Sequence, residues 1–404
     1  MTSIYNNMSN ILEKQPVLNI GCLGSVSHGK STMVKLITGK ATQQHSKEKI
    51  KNITMKVGYA NAKVYQNNND EYTIEKTDKL VHHFSFVDCP GHHELIEIMM
   101  SGANLMDCGI VVVAGNQKLE DQPQLKQHLI TAKLIGLKKI IFVLNKLDLI
   151  SKNLALERKY NLVNYLEKFD FSNPIIIPMA LNLGLNKEYL LNTIMSEFPP
   201  DYKQTKKNMD TIFSISRSFD VNKNGIPAIR ISGGVVGGSV LSGKLSIGDK
   251  VIIYPGQIKY DKTNNKWINK VFKSEITSLK SENDNLKEII SGGLTAVGLK
   301  LDPYFTQGDK LKGQILSRAD NKDIKCIYEL KCNFISLDDR VLELDNIYNL
   351  QIGCNNVKGN IISMDGNNIL FQLSKMVSVY DDIKILVSNK TNNMIDLIGF
   401  GTLI

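Results

Sequence analysis

The chain has 404 residues, more than one compact domain usually holds, so two or three domains are expected. Its 42% hydrophobic and 22% charged residues exclude a mostly disordered chain, and 29 glycines with 10 prolines are too few for a collagen-like or low-complexity one. The net charge of +9 fits either a solvated lysine surplus or a polyanionic partner such as RNA; it divides into +4 over residues 1–200 and +5 over 201–404, so no basic arm or tail stands out.

Residues 1–16 are polar and Asn-rich, lack the apolar core of a signal peptide, and read as a disordered tail. The six cysteines, Cys22, Cys89, Cys108, Cys326, Cys332 and Cys354, form no C-x-x-C pair and show no zinc-type spacing, which suits a reducing compartment. The apolar runs are strand-length and far short of a membrane span, so a soluble cytoplasmic chain without a membrane partner is expected.

Strands are predicted over 17–23, 84–87, 110–114, 140–144 and 174–178. They alternate with helices over 31–37, 92–105, 123–135, 154–169 and 185–198, the first stopped by Gly39. This alternation implies an α/β domain over 17–207 with a doubly wound, mostly parallel sheet. After a polar link the texture changes to short β-branched runs punctuated by Gly233-Gly234, Gly237-Gly238 and Gly292-Gly293, with no long amphipathic helix. Two all-β barrel domains are expected, over 208–319 and 320–404.

Gly24-Ser25-Val26-Ser27-His28-Gly29-Lys30-Ser31 matches G-x-x-x-x-G-K-[ST], a loop whose backbone N–H groups cradle phosphates between a strand and a helix. In that reading Lys30 reaches the β and γ phosphates, and the Ser31 hydroxyl, followed by Thr32, ligates Mg²⁺. Asp88-Cys89-Pro90-Gly91 fits D-x-x-G, with Asp88 on the Mg²⁺ side and the Gly91 amide toward the γ-phosphate. Asn145-Lys146-Leu147-Asp148 fits N-K-x-D. A carboxylate at Asp148 accepts two hydrogen bonds from guanine, which adenine cannot donate, so the motif selects GTP over ATP. Met179, Ala180 and Leu181 follow the next strand, where a backbone N–H would read guanine O6. All of these lie at the C-terminal ends of predicted parallel strands, where such sheets bind ligands.

Between the first two motifs, Thr54 in Asn52-Ile53-Thr54 is a candidate Mg²⁺ ligand that orders only with a triphosphate. Lys47, Lys49 and Lys51 before it suit RNA phosphates or a solvated loop. His92, directly after Gly91, is the candidate catalytic residue, orienting the attacking water. His93, His82 and His83 read as surface residues.

Taken together these residues resemble the translational GTPases related to elongation factor Tu. The Asn52-Ile53-Thr54-Met55-Lys56-Val57-Gly58-Tyr59-Ala60-Asn61-Ala62-Lys63 segment narrows the resemblance to the gamma subunit of eukaryotic and archaeal translation initiation factor two. Arg217-Ser218-Phe219-Asp220-Val221-Asn222-Lys223 and Ile398-Gly399-Phe400-Gly401 fit the same family. The resemblance implies a G domain followed by two barrels, GTP and Mg²⁺ as cofactors, and partnership with alpha and beta subunits, Met-initiator tRNA and the small ribosomal subunit. It also implies GTPase-activating and nucleotide-exchange factors, and hydrolysis at start-codon recognition that is slow without an activator. Tyr59, with Asn52 beside it, is a candidate for stacking on the tRNA end; a strand-face tyrosine is the alternative.

The chain departs from the family pattern at Ser25, Ser27, Met179 and His93, and residues 66–79 carry no cysteine, so no zinc is expected. Two other readings stay open. One is an elongator or selenocysteine-specific aminoacyl-tRNA carrier; the other is a GTPase subunit of a sulfate-activating enzyme.

Overall fold

A computed structural model describes residues 12–42, 57–91, 96–137, 139–202, 210–223, 225–264, 266–319, 321, 323–337, 340–391 and 394–404. The chain forms two compact units, Met1–Gln204 and Thr205–Ile404.

The first unit is built on seven strands: β1 (Leu18–Leu23), β2 (Gly58–Gln66), β3 (Tyr72–Thr73), β4 (Lys79–Asp88), β5 (Cys108–Ala114), β6 (Ile140–Asn145) and β7 (Ile175–Pro178). Their order across the sheet is β3-β2-β4-β1-β5-β6-β7. The run from β4 to β7 is parallel, as the β–α alternation predicted. Among the described residues five α-helices accompany it: α1 (Lys30–Thr38), α2 (Ile96–Ala103), α3 (Pro123–Leu134), α4 (Lys152–Glu167) and α5 (Lys187–Glu197). Every residue of β1 and β5 is buried, because helices cover both faces of a parallel sheet. Helix α1 buries Met33, Val34 and Ile37 and ends at Gly39, whose left-handed backbone lets its N–H reach Lys35 O at 2.9 Å.

The pairing of β2 is antiparallel to both β4 and β3, an edge that the sequence reading did not assign to strands. Its period of two is written in small residues: Ala60, Ala62 and Val64 enter the core, while Tyr59, Asn61 and Lys63 face away and are half-buried. Alanine carries little β signal, which is why the alternation was hard to read.

His82 and His83 correct an expectation, for they are buried at 0% and 3% exposure rather than on the surface. His82 Nε2 lies 2.9 Å from Phe198 O and His83 Nδ1 lies 2.8 Å from Leu12 O. β4 thus ties down both ends of the unit through two imidazoles.

In the second unit the strands Lys250–Asp261, Ile315–Arg318, Ile212–Phe219, Val235–Ser242, Thr295–Leu299 and Lys266–Ser281 pair in that order. The last returns to the first, so they close a six-stranded barrel. A second closed barrel runs Lys325–Ser336, Asn368–Val379, Asn355–Asp365, Ile347–Ile352, Lys384–Thr391 and Met394–Leu403. Each has its own apolar core, the first around Phe213, Val251 and Leu316, the second around Leu330, Ile361 and Phe371. The two barrels are joined by Asn355 Nδ2 donating to Gly313 O at 2.5 Å and Ser378 Oγ donating to Tyr254 O at 3.0 Å.

Burial lowers the pKa of His82 to about 4 and that of His83 to about 3. Their folded-state values lie below the unfolded value, so the unfolded chain binds more protons under pH 6.5 and stability falls with falling pH. Each histidine costs about 1.4 kcal/mol per pH unit between 6.5 and its folded pKa. The thermal midpoint of the first unit is expected to drop steeply between pH 6.5 and 5, and His82→Gln to flatten that dependence in a pH series of melting curves.

Candidate nucleotide-binding site

The loop after β1 wraps back on itself before α1 begins. Ser27 has φ 60°, and Gly29, just before α1, has φ 108°. A side chain at Gly29 would also sit 2.4 Å from Asn145 Nδ2, so both conformation and contact require glycine. The first turn of α1 holds Lys30, Ser31 and Thr32, has no side-chain cap and no acidic residue, and so leaves its N–H groups to an anion.

Lys30 is buried, and its Nζ donates to Gly24 O and Ser25 O, both at 2.8 Å. Burial lowers its pKa, and Asp88 opposes that shift. Gly91 lies directly over this ammonium: a Cβ there would be 2.4 Å from Lys30 Nζ and 2.7 Å from Gly24 O. The D-x-x-G turn therefore closes on the mouth of the loop. Ser31 Oγ donates to Asp88 Oδ2 at 2.7 Å, and Thr42 Oγ1 donates to the same oxygen at 2.5 Å. Thr42 is a site residue that sequence reading missed; no motif marks a lone threonine four residues past a helix.

The donor set around Asp88 is one carboxylate and two hydroxyls. All are hard oxygens, which suits Mg²⁺ bound mainly through phosphates and water. Among the described residues no three His, Cys, Asp or Glu side chains form a metal-holding group. Ser25 Oγ is buried without a hydrogen-bond partner among the described residues, a polar atom left over inside the loop. These features fit a bound nucleoside triphosphate and its ion.

Asn145, at the end of β6, joins the two halves of the site. Its Nδ2 donates to His28 O at 2.7 Å and its Oδ1 accepts from Leu181 N at 3.0 Å. Leu147 N donates to Met179 O at 3.3 Å, a second tie between the same loops. Met179 is buried in the core and its N–H continues the sheet to Leu144 O at 2.8 Å, so a methionine braces this loop by packing. With Met179 N and Leu181 N both engaged, the Ala180 N–H lies between them. Lys146 adopts φ 64°, and Asp148 stands exposed on the short turn that follows.

The His28 side chain turns inward. Its Nδ1 lies 3.1 Å from Val112 O, and burial lowers its pKa to about 4, so the ring is neutral with its proton on Nδ1. His128 of α3, not singled out from the sequence, is buried behind Gly91 and hydrogen-bonded to its backbone; burial lowers its pKa to about 3. Tyr59 lies opposite Val87 on β2, half-buried on the face away from the core. Asn52, Thr54, His92 and His93 lie outside the described residues.

Residues 15–200 match the family model described as the elongation factor Tu GTP binding domain. Over 98% of its length the chain is 36% identical to the eukaryotic translation initiation factor 2 subunit gamma of Encephalitozoon cuniculi, covering 94% of that protein. The chain belongs to the translation initiation factor 2 gamma-subunit family. An archaeal member, the translation initiation factor 2 subunit gamma of Sulfurisphaera tokodaii, is 32% identical over 96% of this chain and 98% of its own length. Among solved structures, a bacterial selenocysteine-specific elongation factor superposes with a TM-score of 0.76 at 22% identity, over 96% of this chain and 58% of that one. That likeness shows the shared G-domain-and-barrels fold, while membership of the initiation-factor family rests on the closer sequences.

Asn145→Ala leaves the buried His28 carbonyl and Leu181 N–H unpaired, at a cost of about 1–3 kcal/mol each. Affinity for a fluorescent guanine nucleotide is expected to fall by at least about tenfold, with the barrels' unfolding transition unchanged.

Proposed function

We propose that the chain binds GTP and Mg²⁺ at the site between β1, β4, β6 and β7, and that it carries Met-initiator tRNA to the small ribosomal subunit as the gamma subunit of a factor with alpha and beta subunits. The observation that carries the nucleotide reading is Asn145, which bridges the phosphate loop and the 179–181 loop and so assembles phosphate and base sites into one pocket. In the bound state the Lys30 ammonium exchanges the Gly24 and Ser25 carbonyls for phosphate oxygens. Ser31, Asp88 and Thr54 are the residues that would hold the metal, the Ser31 hydroxyl through its oxygen. Bound Mg²⁺ supplies charge neutralisation of the phosphates. Asp148 accepts from the guanine edge and the Ala180 N–H donates to O6. His92 orients the attacking water, and turnover is slow until an activating partner completes the site.

The domain limits we assign are 17–207, 208–319 and 320–404. Tyr59, on the outer face of β2, together with Asn52, receives the tRNA end. We assign its work to the cytoplasm; among the described residues no helix is long and apolar enough to cross a membrane.

Filter binding of Met-initiator tRNA in GTP and in GDP, with deacylated and elongator tRNAs as controls, tests this reading. Preference for Met-initiator tRNA with GTP is expected; equal retention of elongator aminoacyl-tRNA would point to an elongation-type carrier. Asp148→Asn is expected to weaken GTP binding by at least about tenfold and favour xanthine nucleotide in competition assays, because it exchanges an acceptor for a donor. His92→Ala is expected to keep GTP affinity while slowing activated hydrolysis about a hundredfold or more in single-turnover assays.

A further inference from the structure

Asp88 has one attachment that none of the nucleotide motifs supplies. Its Oδ2 accepts two hydroxyl protons, one from Ser31 Oγ at 2.7 Å and one from Thr42 Oγ1 at 2.5 Å. Asp88 is 0% exposed and Thr42 is 7% exposed, so little water reaches the second bond. The two donors differ in kind. Ser31 belongs to the phosphate loop and is itself assigned to the metal. Thr42 lies outside G-x-x-x-x-G-K-[ST], D-x-x-G and N-K-x-D, and a hydroxyl has a single proton to give, which here goes to Asp88.

The fold goes to some length to bring Thr42 there. At the end of α1 the Thr38 hydroxyl donates to Val34 O at 2.8 Å and accepts from Lys40 N at 3.0 Å, which pins the chain as it leaves the helix. Thr42 follows two residues later. Gly58, the first residue of β2, pairs in register with Asp88 at the end of β4. A Cβ on Gly58 would stand 2.8 Å from Thr42 Cβ and 3.4 Å from Thr42 Cγ2. Any side chain at Gly58 would therefore push Thr42 away from the carboxylate. The glycine leaves the space that the threonine fills. Asp88 thus meets both ends of the stretch 43–57, in which Thr54 lies: Thr42 through a side-chain bond, Gly58 through the strand pairing.

An aspartate carboxylate turns freely about its last side-chain bond, because that torsion has broad wells. Two donors converging on one oxygen remove this freedom. Of the two, only Thr42 is committed to Asp88 alone. Hydrogen bonds of this type, made to a group that holds a metal, tune how tightly the ion is kept. We infer that Thr42 is a positioning residue for the metal end of the site: acting only through Asp88, it fixes the carboxylate and so strengthens retention of the Mg²⁺ that accompanies a bound guanine nucleotide. The inference rests on the reading of this site as one for guanine nucleotide and Mg²⁺.

The test follows release of a fluorescent GDP from the full chain over a series of free Mg²⁺ concentrations down to EDTA. It compares the native chain with Thr42→Val, which keeps the shape and the packing on Gly58 but loses the hydroxyl, and with Thr42→Ser, which keeps the hydroxyl. Thr42→Ala, a second way of removing the hydroxyl, is expected to follow valine. In the valine variant the free Mg²⁺ that half-slows release is expected to rise about tenfold or more. Serine is expected to stay near the native midpoint. Release in EDTA is expected to be the same in all four chains, since the phosphate loop is untouched. A native Mg²⁺ midpoint in Thr42→Val and Thr42→Ala would overturn the inference. So would release that quickens as much in EDTA as in Mg²⁺, which would make Thr42 a packing residue only, or a serine variant that behaves as valine does. Release from the native chain that ignores Mg²⁺ altogether would instead sink the reading of the site, and this inference with it.

Discussion

The carboxamide of Asn145 is the contact on which the first unit's site depends. It gives its N–H to the phosphate loop at His28 O and its oxygen to Leu181 N, from loops more than thirty positions away on either side. A buried amide can satisfy two loops at once because it carries a donor and an acceptor on one rigid plane. A carboxylate or a hydrocarbon of the same size could not do both. Gly29 has no side chain for the same reason, since any Cβ would collide with this amide.

Around that bridge the polar groups of the site pair with one another. Lys30 is held by two backbone carbonyls, Ser31 and Thr42 share one carboxylate oxygen of Asp88, and Gly91 packs over the ammonium. Buried charge survives only when paired, so these bonds offset the cost of keeping a lysine and an aspartate inside the unit. They are also bonds that phosphate oxygens and a cation can replace in kind. The D-x-x-G turn and the phosphate loop thereby meet: Gly91 packs against Lys30, and His128 hydrogen-bonds the Gly91 backbone.

The motifs were legible because they are local. A phosphate loop needs glycines, a lysine and a hydroxyl within eight residues, and N-K-x-D needs its residues within four. The parallel strands were legible because burial on both faces makes them continuous apolar runs, as in Ile110-Val111-Val112-Val113. The edge strand β2 was not, since its core face is alanine. His82 and His83 were misread as surface residues because a polar pair near a strand end looks solvated until Phe198 and Leu12 arrive from distant sequence to accept their hydrogen bonds. Thr42 and His128 gave no signal, as each acts through a partner far along the chain.

From the sequence alone came the class of each unit, the proposal that Asp148 selects guanine, and the resemblance that the family comparison bore out. All follow from residue types at short spacing, which need no knowledge of the fold. Only the tertiary structure decided which atoms answer one another across the chain. It joined Asn145 to two loops, set Thr42 beside Ser31, turned His28 inward, and closed twelve strands into two barrels with their pairings. Hydrogen bonds and charges act over a few ångströms, and sequence distance says little about which groups come that close.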